Sequence, residues 1–370
     1  MRPKIIVSTI IDSHNYGTVL QAVATNDALM PYGDPCFVDY CRPQWTRKGW
    51  RRGQLRNPNF LKGLCMLVAK YPVWIKSEGV FRSFVEKHLR LIDSAPFING
   101  GHFDKKAVYC VGSDQTWNIE CNNGIDPVYF LQNVPDDCKK ISFSASFGRP
   151  ALDEVESALT KPLLEPFSAI SVRESSSVSI LENMGLRGIA LKDPVLLCRP
   201  ELWRELVTHV PASTENYVLV YMLNQNSEMC SFARELAERE GMRARIVTFN
   251  PLKRAPEGLE GVCLPKPEEW VALFRDASYV VTDSFHGTCF SLLFEHPMIV
   301  FDPPKFSVRL KDVLADFGLA DRRVSEDCDP MHIAAEPINW DSVRTKKEEF
   351  SGEAKAFLDG VFGVSERADV

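Results

Sequence analysis

The sequence predicts an α/β fold built from two Rossmann-like domains that face each other across a cleft. Three observations carry that expectation. The chain has 370 residues, more than the roughly 250–300 at which one hydrophobic core stops growing. Short β-branched runs alternate with longer segments of helical apolar spacing, the pattern of parallel βαβ units. The alternation then breaks off in a proline-bearing stretch between residues 195 and 216 and starts again.

In the first half, strands are expected at residues 4–11, 36–41, 107–111, 140–146, 169–172 and 188–191. Between the first two, residues 16–30 carry Val19, Leu20, Val23 and Ala24, then Ala28 and Leu29 on the next turn, which is helical spacing. Helices are also expected at 80–89 and 175–183, and a short one at 201–208 after Pro200, with 211–216 as the linker. The second half reads strand 217–223, helix 228–240, strand 245–249, helix 268–275, strand 279–282, helix 286–294 and strand 298–301. This gives an N-terminal domain over 1–198, a C-terminal domain over 214–345, and a closing helix and tail over 346–370. Two facing domains of this kind make a glycosyltransferase-B-like arrangement. Ligands of open α/β sheets gather outside the carboxyl ends of the strands, so the loops there are the place to search.

Composition narrows the function classes. A net charge of −6 argues against a whole-protein nucleic-acid binder. No apolar run approaches the ~20 residues a membrane-spanning helix needs. The first expected strand begins at residue 4, right after Met1, so no signal peptide is expected. The 11 cysteines are odd in number and none has Cys-x-x-Cys spacing. Cys36, Cys110, Cys198, Cys263 and Cys289 lie in or beside apolar runs, where thiols act as small core residues. A reducing cytoplasm, with no disulfide frame and no zinc ribbon, is the simplest expectation.

Five strand ends carry candidate chemistry. In Thr282-Asp-Ser-Phe-His-Gly-Thr288 a buried strand hands over to a helix, which Asp283 or Ser284 can cap. The free N–H groups there suit an anion, and His286 in the first turn can move a proton near neutral pH. Gly287 and Thr288 complete that candidate binding turn, whose plain alternative is a capped helix with a surface histidine. In Gly112-Ser-Asp-Gln-Thr-Trp-Asn118, Gly112 permits close backbone approach. Ser113, Asp114 and Gln115 offer hydrogen bonds to sugar hydroxyls; Trp117 is either a sugar platform or a core plug. The Ser13-His-Asn-Tyr-Gly-Thr18 turn lacks the three-glycine dinucleotide fingerprint, although Asn15 and Gly17 can present backbone donors at a helix start. Ser146 with Arg149, and Arg173 beside Glu174, put cations at two further strand ends, where a guanidinium can fork onto a carboxylate or phosphate. A surface Arg173–Glu174 pair is the bland reading. None of the seven histidines has metal-ligand spacing, so no metal is expected.

Together these segments resemble the polysaccharide pyruvyltransferase family. The matching pieces are Asn15-Tyr-Gly with Leu20-Gln21, Gly112–Asn118, Ser144-Ala-Ser-Phe-Gly148, Ser171-Val-Arg-Glu174, Asp193-Pro194 and Thr282–Thr288, in the family's order across residues 5–310. The resemblance implies transfer of a pyruvyl group from phosphoenolpyruvate, the donor substrate, onto a sugar diol as a cyclic ketal, with no further cofactor. It makes His286 the catalytic histidine and Arg173 a ligand of the donor's anionic groups; Asp114 is a second catalytic candidate. Relatives often carry arginine two positions before that histidine, where this chain has Ser284. Lys305 and Arg309, in the loop expected after the 298–301 strand, are the candidate substitutes.

One stretch is unlike the rest. From Arg42 to Lys62 there are seven Lys/Arg, Trp45 and Trp50, and no acidic residue. A basic loop over 42–62 on the acceptor-side domain suits a peripheral contact with the inner face of an anionic membrane, and a lipid-linked glycan acceptor would give that contact a purpose. A solvated loop is the competing reading. The rival functions are a nucleotide-sugar glycosyltransferase of the same fold and a non-catalytic glycan-binding relative.

Overall fold

The computed structural model describes residues 2–56, 60–251, 253–304, 308–325 and 329–364. Seven parallel strands of the first half form one sheet in the order β3–β2–β1–β4–β5–β6–β7. They are β1 Lys4–Ser8, β2 Asp34–Asp39, β3 Leu91–Asp93, β4 Val108–Val111, β5 Lys139–Ala145, β6 Phe167–Val172 and β7 Ile189–Ala190. Central strands covered on both faces read as continuous apolar runs, and Val-Tyr-Cys-Val in β4 is buried at every position. The second half forms a five-stranded parallel sheet in the order β10–β9–β8–β11–β12. Its strands are β8 Tyr217–Tyr221, β9 Arg243–Thr248, β10 Glu260–Cys263, β11 Tyr279–Thr282 and β12 Met298–Val300. Both orders reverse direction beside the first strand of the sheet, between β1 and β4 and between β8 and β11. That is the Rossmann topology, with a crevice at each reversal.

The first-half helices are α1 Tyr16–Leu29, α2 Arg47–Leu55, α3 Phe60–His88, α4 Ala95–Asn99, α5 Ile119–Asn122, α6 Glu154–Leu164, α7 Ser175–Asn183, α8 Pro194–Leu197 and α9 Glu201–Leu206. The second half adds α10 Ser227–Arg239, α11 Pro267–Arg275, α12 Phe285–Phe294, α13 Val308–Asp316, α14 Pro330–Ala335 and α15 Trp340–Phe362. Four differences from the sequence reading have local causes. The expected helix 80–89 is only the end of the 29-residue α3, which runs through Pro72. The edge strand β10 is largely exposed and polar, so it lacks an apolar signal; it forms by pairing Glu260 with Arg245, whose Nε donates to Glu260 Oε2 at 3.1 Å. The closing helix starts at Trp340 rather than residue 346. The basic stretch is not a loop: Pro43–Trp45 makes a 3-10 turn, Thr46 caps α2, and Trp50 stacks on Tyr71 and Trp74 of α3 at 5.7 and 5.6 Å.

The two sheets share a core. Helix α1 is buried without interruption from Tyr16 to Thr25 because it lies between the first sheet and the second domain. Tyr16 stacks on Trp270 at 5.3 Å and donates to the Pro265 carbonyl at 2.7 Å; Trp203 meets Phe290 at 4.9 Å. Such aromatic pairs contribute about 0.5–1.5 kcal/mol each beyond their buried area. Helix α15 ties the halves from outside. Arg344 near its start pairs with Glu295 at 2.6 Å, while Asp359 near its end accepts from Tyr32 at 2.7 Å. Among the described residues no helix is long and apolar enough to cross a membrane.

Candidate active site

The site lies where the two topological reversals meet. On the second domain, β11 ends at Thr282, whose hydroxyl donates to the Tyr221 carbonyl at 2.7 Å. Asp283 then accepts from the backbone N–H groups of Leu223 and Asn224 at 2.7 and 2.8 Å, holding the loop after β8. Ser284, not Asp283, caps α12, its Oγ accepting from Gly287 N–H at 3.3 Å. Gly287 is needed because a Cβ there would come 2.4 Å from Thr282 Oγ1. This tight start aims His286 at the first domain, where it is 7% exposed.

On the first domain, Asn15 caps α1 by accepting from Gly17 N–H at 2.9 Å. That turn sets Gly17 against the imidazole: a Cβ on Gly17 would sit 2.0 Å from His286 Nδ1. At the next residue, Thr18 Oγ1 donates to Asp114 Oδ2 at 2.8 Å. Asp114 adopts the left-handed conformation (φ 73°), which aspartate tolerates better than most residues. Its Oδ1 accepts from Gln115 N–H at 2.8 Å.

Arg173 and Asp193 complete the cluster. Asp193 Oδ2 accepts from Arg173 Nη1 at 2.8 Å and from Ser113 Oγ at 3.2 Å, and lies 3.7 Å from His286 Nε2. Arg173 Nε donates to Glu174 Oε1 at 3.1 Å, and its Nη1 is 4.0 Å from Asp114. This pair is buried, so the surface reading of Arg173–Glu174 does not hold. The guanidinium carbon of Arg173 lies 4.9 Å from the centre of the Phe285 ring, and that of Arg309 lies 5.7 Å from it. The Gln115 amide, with its oxygen turned toward Arg309, accepts from Nη2 at 2.8 Å and Nη1 at 3.1 Å. Among the described residues, Asp312 Oδ2 in the wall of a small adjoining cavity and two nitrogens of this cluster are buried without a hydrogen-bond partner: His286 Nε2 and Arg173 Nη2. Buried orphans of this kind are uncommon, and a ligand oxygen would resolve both nitrogens.

Charges tune the acids. Burial alone would raise Asp114, but Arg173, His286, Arg309 and the Thr18 hydrogen bond hold it below the usual carboxylate range. Burial also acts on Asp193, yet His286 and Arg173 keep it far below that range. Burial and the neighbouring Arg173 lower Arg309. A cavity of about 20 Å³ lies between Arg173, Phe285 and Arg309, room for roughly one water.

The sequence-derived candidates therefore divide. His286, Asp114, Arg173, Gly17, Ser113, Gln115 and Arg309 come together, Arg309 from the first turn of α13 rather than from a loop. Asn15 and Ser284 act as helix caps, and Asp283 as a loop tie. Gly112 packs on Thr9, where a Cβ would meet Thr9 Cβ at 2.8 Å, so its freedom serves strand packing. Ser146 donates to Glu174 at 2.7 Å, Thr288 to the Ser284 carbonyl at 3.2 Å, and Arg149 to Glu156 at 2.6 Å; their polar groups serve these internal contacts. Trp117 is a core plug, 1% exposed. Lys305 lies outside the described residues. Site spacing alone missed Asp193, whose signal was a cap-like Asp-Pro after a strand, and Phe285, which read as an ordinary helix residue.

Residues 15–304 match the family model described as polysaccharide pyruvyl transferase. No curated protein matches the chain. Among solved structures, the S. aureus MnaA–UDP co-structure shares 10% identity at a TM-score of 0.50, covering 98% of this chain and 96% of that one. A putative UDP-N-acetylglucosamine 2-epimerase from Listeria monocytogenes shares 11% (99% and 98% covered, TM-score 0.49). A glycotransferase of kitacinnamycin shares 12% (98% and 100%, TM-score 0.49). At 10% identity the likeness to the MnaA–UDP co-structure is one of fold alone.

Proposed function

The chain belongs to the polysaccharide pyruvyl transferase family, and on that premise we propose that it moves a pyruvyl group from phosphoenolpyruvate onto two hydroxyls of a sugar in a surface polysaccharide or lipid-linked glycan precursor, forming a cyclic ketal. The observation that carries this reading is the convergence of two unpartnered buried donors, His286 Nε2 and Arg173 Nη2, beside the guanidinium of Arg309. A donor with a carboxylate and a phosphate calls for two cations and an acid, and the cluster offers that set.

In this scheme a proton from His286 adds to the methylene carbon of phosphoenolpyruvate, making a methyl group and an oxocarbenium-like centre at the adjacent carbon. The first sugar hydroxyl attacks that centre and gives its proton back to the now neutral His286. The second hydroxyl closes the ring; its C–O bond forms as the bond to phosphate breaks, and phosphate leaves with the remaining proton. Arg173 and Arg309 hold the anionic groups and stabilise charge on the departing phosphate. Asp193 faces the His286 ring from 3.7 Å and shares its carboxylate with Arg173. The cavity between Arg173, Phe285 and Arg309 admits little more than a water, so donor entry requires Phe285 and Arg309 to separate.

A peripheral membrane contact fits the same reading. Lys48, Arg51, Arg52 and Arg56 are exposed on and after α2, close in sequence to the exposed Leu55, Leu64 and Val68. The test of function is mass spectrometry of candidate glycan acceptors after incubation with phosphoenolpyruvate, where a pyruvyl addition with release of phosphate is expected. Thermal stabilisation by a nucleotide sugar and none by phosphoenolpyruvate would replace this reading with the glycosyltransferase one.

A further inference from the structure

A second cavity opens in the first domain at the carboxyl ends of β1 and β2, against α3 and the turn before α2. Its volume is about 450 Å³, within the ~300–1,000 Å³ of small-molecule sites. It shares the β1–α1 segment with the catalytic cluster: Ser13 and His14 line it, and Gly17 three residues later backs the His286 ring.

The walls have two characters. One is aromatic: His14 stacks on Phe81 at 6.0 Å, with the planes 13° apart, and meets the half-buried Trp45 at 6.0 Å. The other is charged but balanced. Arg47 donates to Glu78 at 2.8 Å, Arg82 to Asp39 at 2.8 Å, and Arg42 to Asp12 at 2.7 Å. Burial lowers the pKa of His14, which removes a further positive charge near neutral pH. Cations already satisfied by carboxylates hold little attraction for an anion, unlike Arg309, which donates to the neutral Gln115 amide. Carboxylate and guanidinium edges do suit adjacent hydroxyls, with acceptors and donors side by side. Aromatic faces suit the apolar C–H face of a pyranose ring. Ser13 Oγ, at the wall, has no hydrogen-bond partner.

We infer that this cavity binds an uncharged sugar ring, the acceptor residue or its neighbour along the glycan. Only the word acceptor rests on the pyruvyl-transfer reading; saccharide binding does not need it. The two cavities then divide the work, with an anion beyond the ends of β6 and β7 and a neutral polyol beside β2.

Saturation-transfer NMR on the full chain tests this, with the methyl glycosides of glucose, galactose, mannose and N-acetylglucosamine as probes at up to about 20 mM, since single sugar rings bind at ~mM affinity. Ring-proton signals are expected from at least one probe. They should weaken about fivefold or more in both Trp45→Ala and Glu78→Gln and persist in Trp45→Phe, which keeps an aromatic face and guards against misfolding. Thermal stabilisation by inorganic phosphate should stay unchanged in all three. Absence of signal from every probe, signals equal to wild type in both disruptive variants, or loss of signal on Arg309→Ala instead would each overturn the inference. Signals that depend on Trp45, without any pyruvyl addition to an acceptor, would leave this site standing and sink the reaction.

Discussion

The imidazole of His286 occupies the space that a side chain at position 17 would need: Gly17, on the opposite domain, faces His286 Nδ1 so closely that a Cβ would come within 2.0 Å. A helix start from one sheet and a helix start from the other thus meet ring to backbone. The ring's far nitrogen is then directed toward Asp193, 3.7 Å away.

Gly17→Ala follows directly from that contact. Either the ring swings out or the two helix starts separate. Stability should fall by about 1–3 kcal/mol, the usual cost of overpacking, and turnover at least tenfold, roughly, from the misplaced imidazole. Thermal unfolding and kcat measured together check it; a variant normal in both would show that the ring is not pinned there.

His286→Ala should lower kcat by ~10²–10⁴, the contribution of a positioned acid or base. His286→Asn should be almost as damaging, because it keeps a hydrogen bond but delivers no proton. The buried ring adds to stability, so the Ala variant should also lose about 1 kcal/mol. His332→Ala, at an exposed site on α14, is the control and should match wild type. Near-normal kcat in the Asn variant would make His286 a positioning residue.

Asp193→Asn removes the carboxylate between Arg173 and His286. Breaking a buried ion pair on one side costs about 3–5 kcal/mol. The pH dependence has a definite sign. Asp193 and Asp114 have folded pKa values below their unfolded ones. Their stabilisation is therefore complete above the unfolded value of about 4 and is lost as pH falls through the folded values. Urea unfolding between pH 7 and pH 3 should show wild type losing stability below about pH 4, and Asp193→Asn losing less. Parallel curves would remove Asp193 from the account.

Arg309→Ala should raise the KM for phosphoenolpyruvate about tenfold or more, and Arg309→Lys should recover only part of it, because a point charge lacks the planar fork. Steady-state kinetics with the donor varied decide this; an unchanged donor KM in the Ala variant would assign the anion to other residues.

Replacing Lys48, Arg51, Arg52 and Arg56 with Ser should weaken sedimentation with anionic liposomes, most at low salt. Turnover on a short, water-soluble acceptor should be retained. Liposome binding equal to wild type would leave α2 as a solvated helix.

Much of the fold was legible along the chain. Helix 175–183 and strand 279–282 match in every residue, and most others to within a few. Buried strands and helices write their periods into local sequence, and capping residues mark their starts. Three unread segments were polar or marginal locally: the edge strand β10, the three-residue β3, and the α2–α3 pair, where a basic composition and Pro72 masked a helix held by Trp50, Tyr71 and Trp74; the 11-residue α6 went unread despite its Asp153–Glu156 capping box.

By itself, then, the sequence determined two parallel α/β units, the strand ends worth searching, and His286, Asp114 and Arg173 as residues of interest. Only the tertiary structure decided which of them meet. It brought Gly17 under His286, made Asp193 the shared partner of His286 and Arg173, drew Arg309 in from α13, and turned Arg149, Ser146 and Thr288 to internal hydrogen bonds. The physical reason is that apolar period reports which face of an element is buried. Which distant segment lies against that face, and which charge compensates which, is settled only when the two sheets pack.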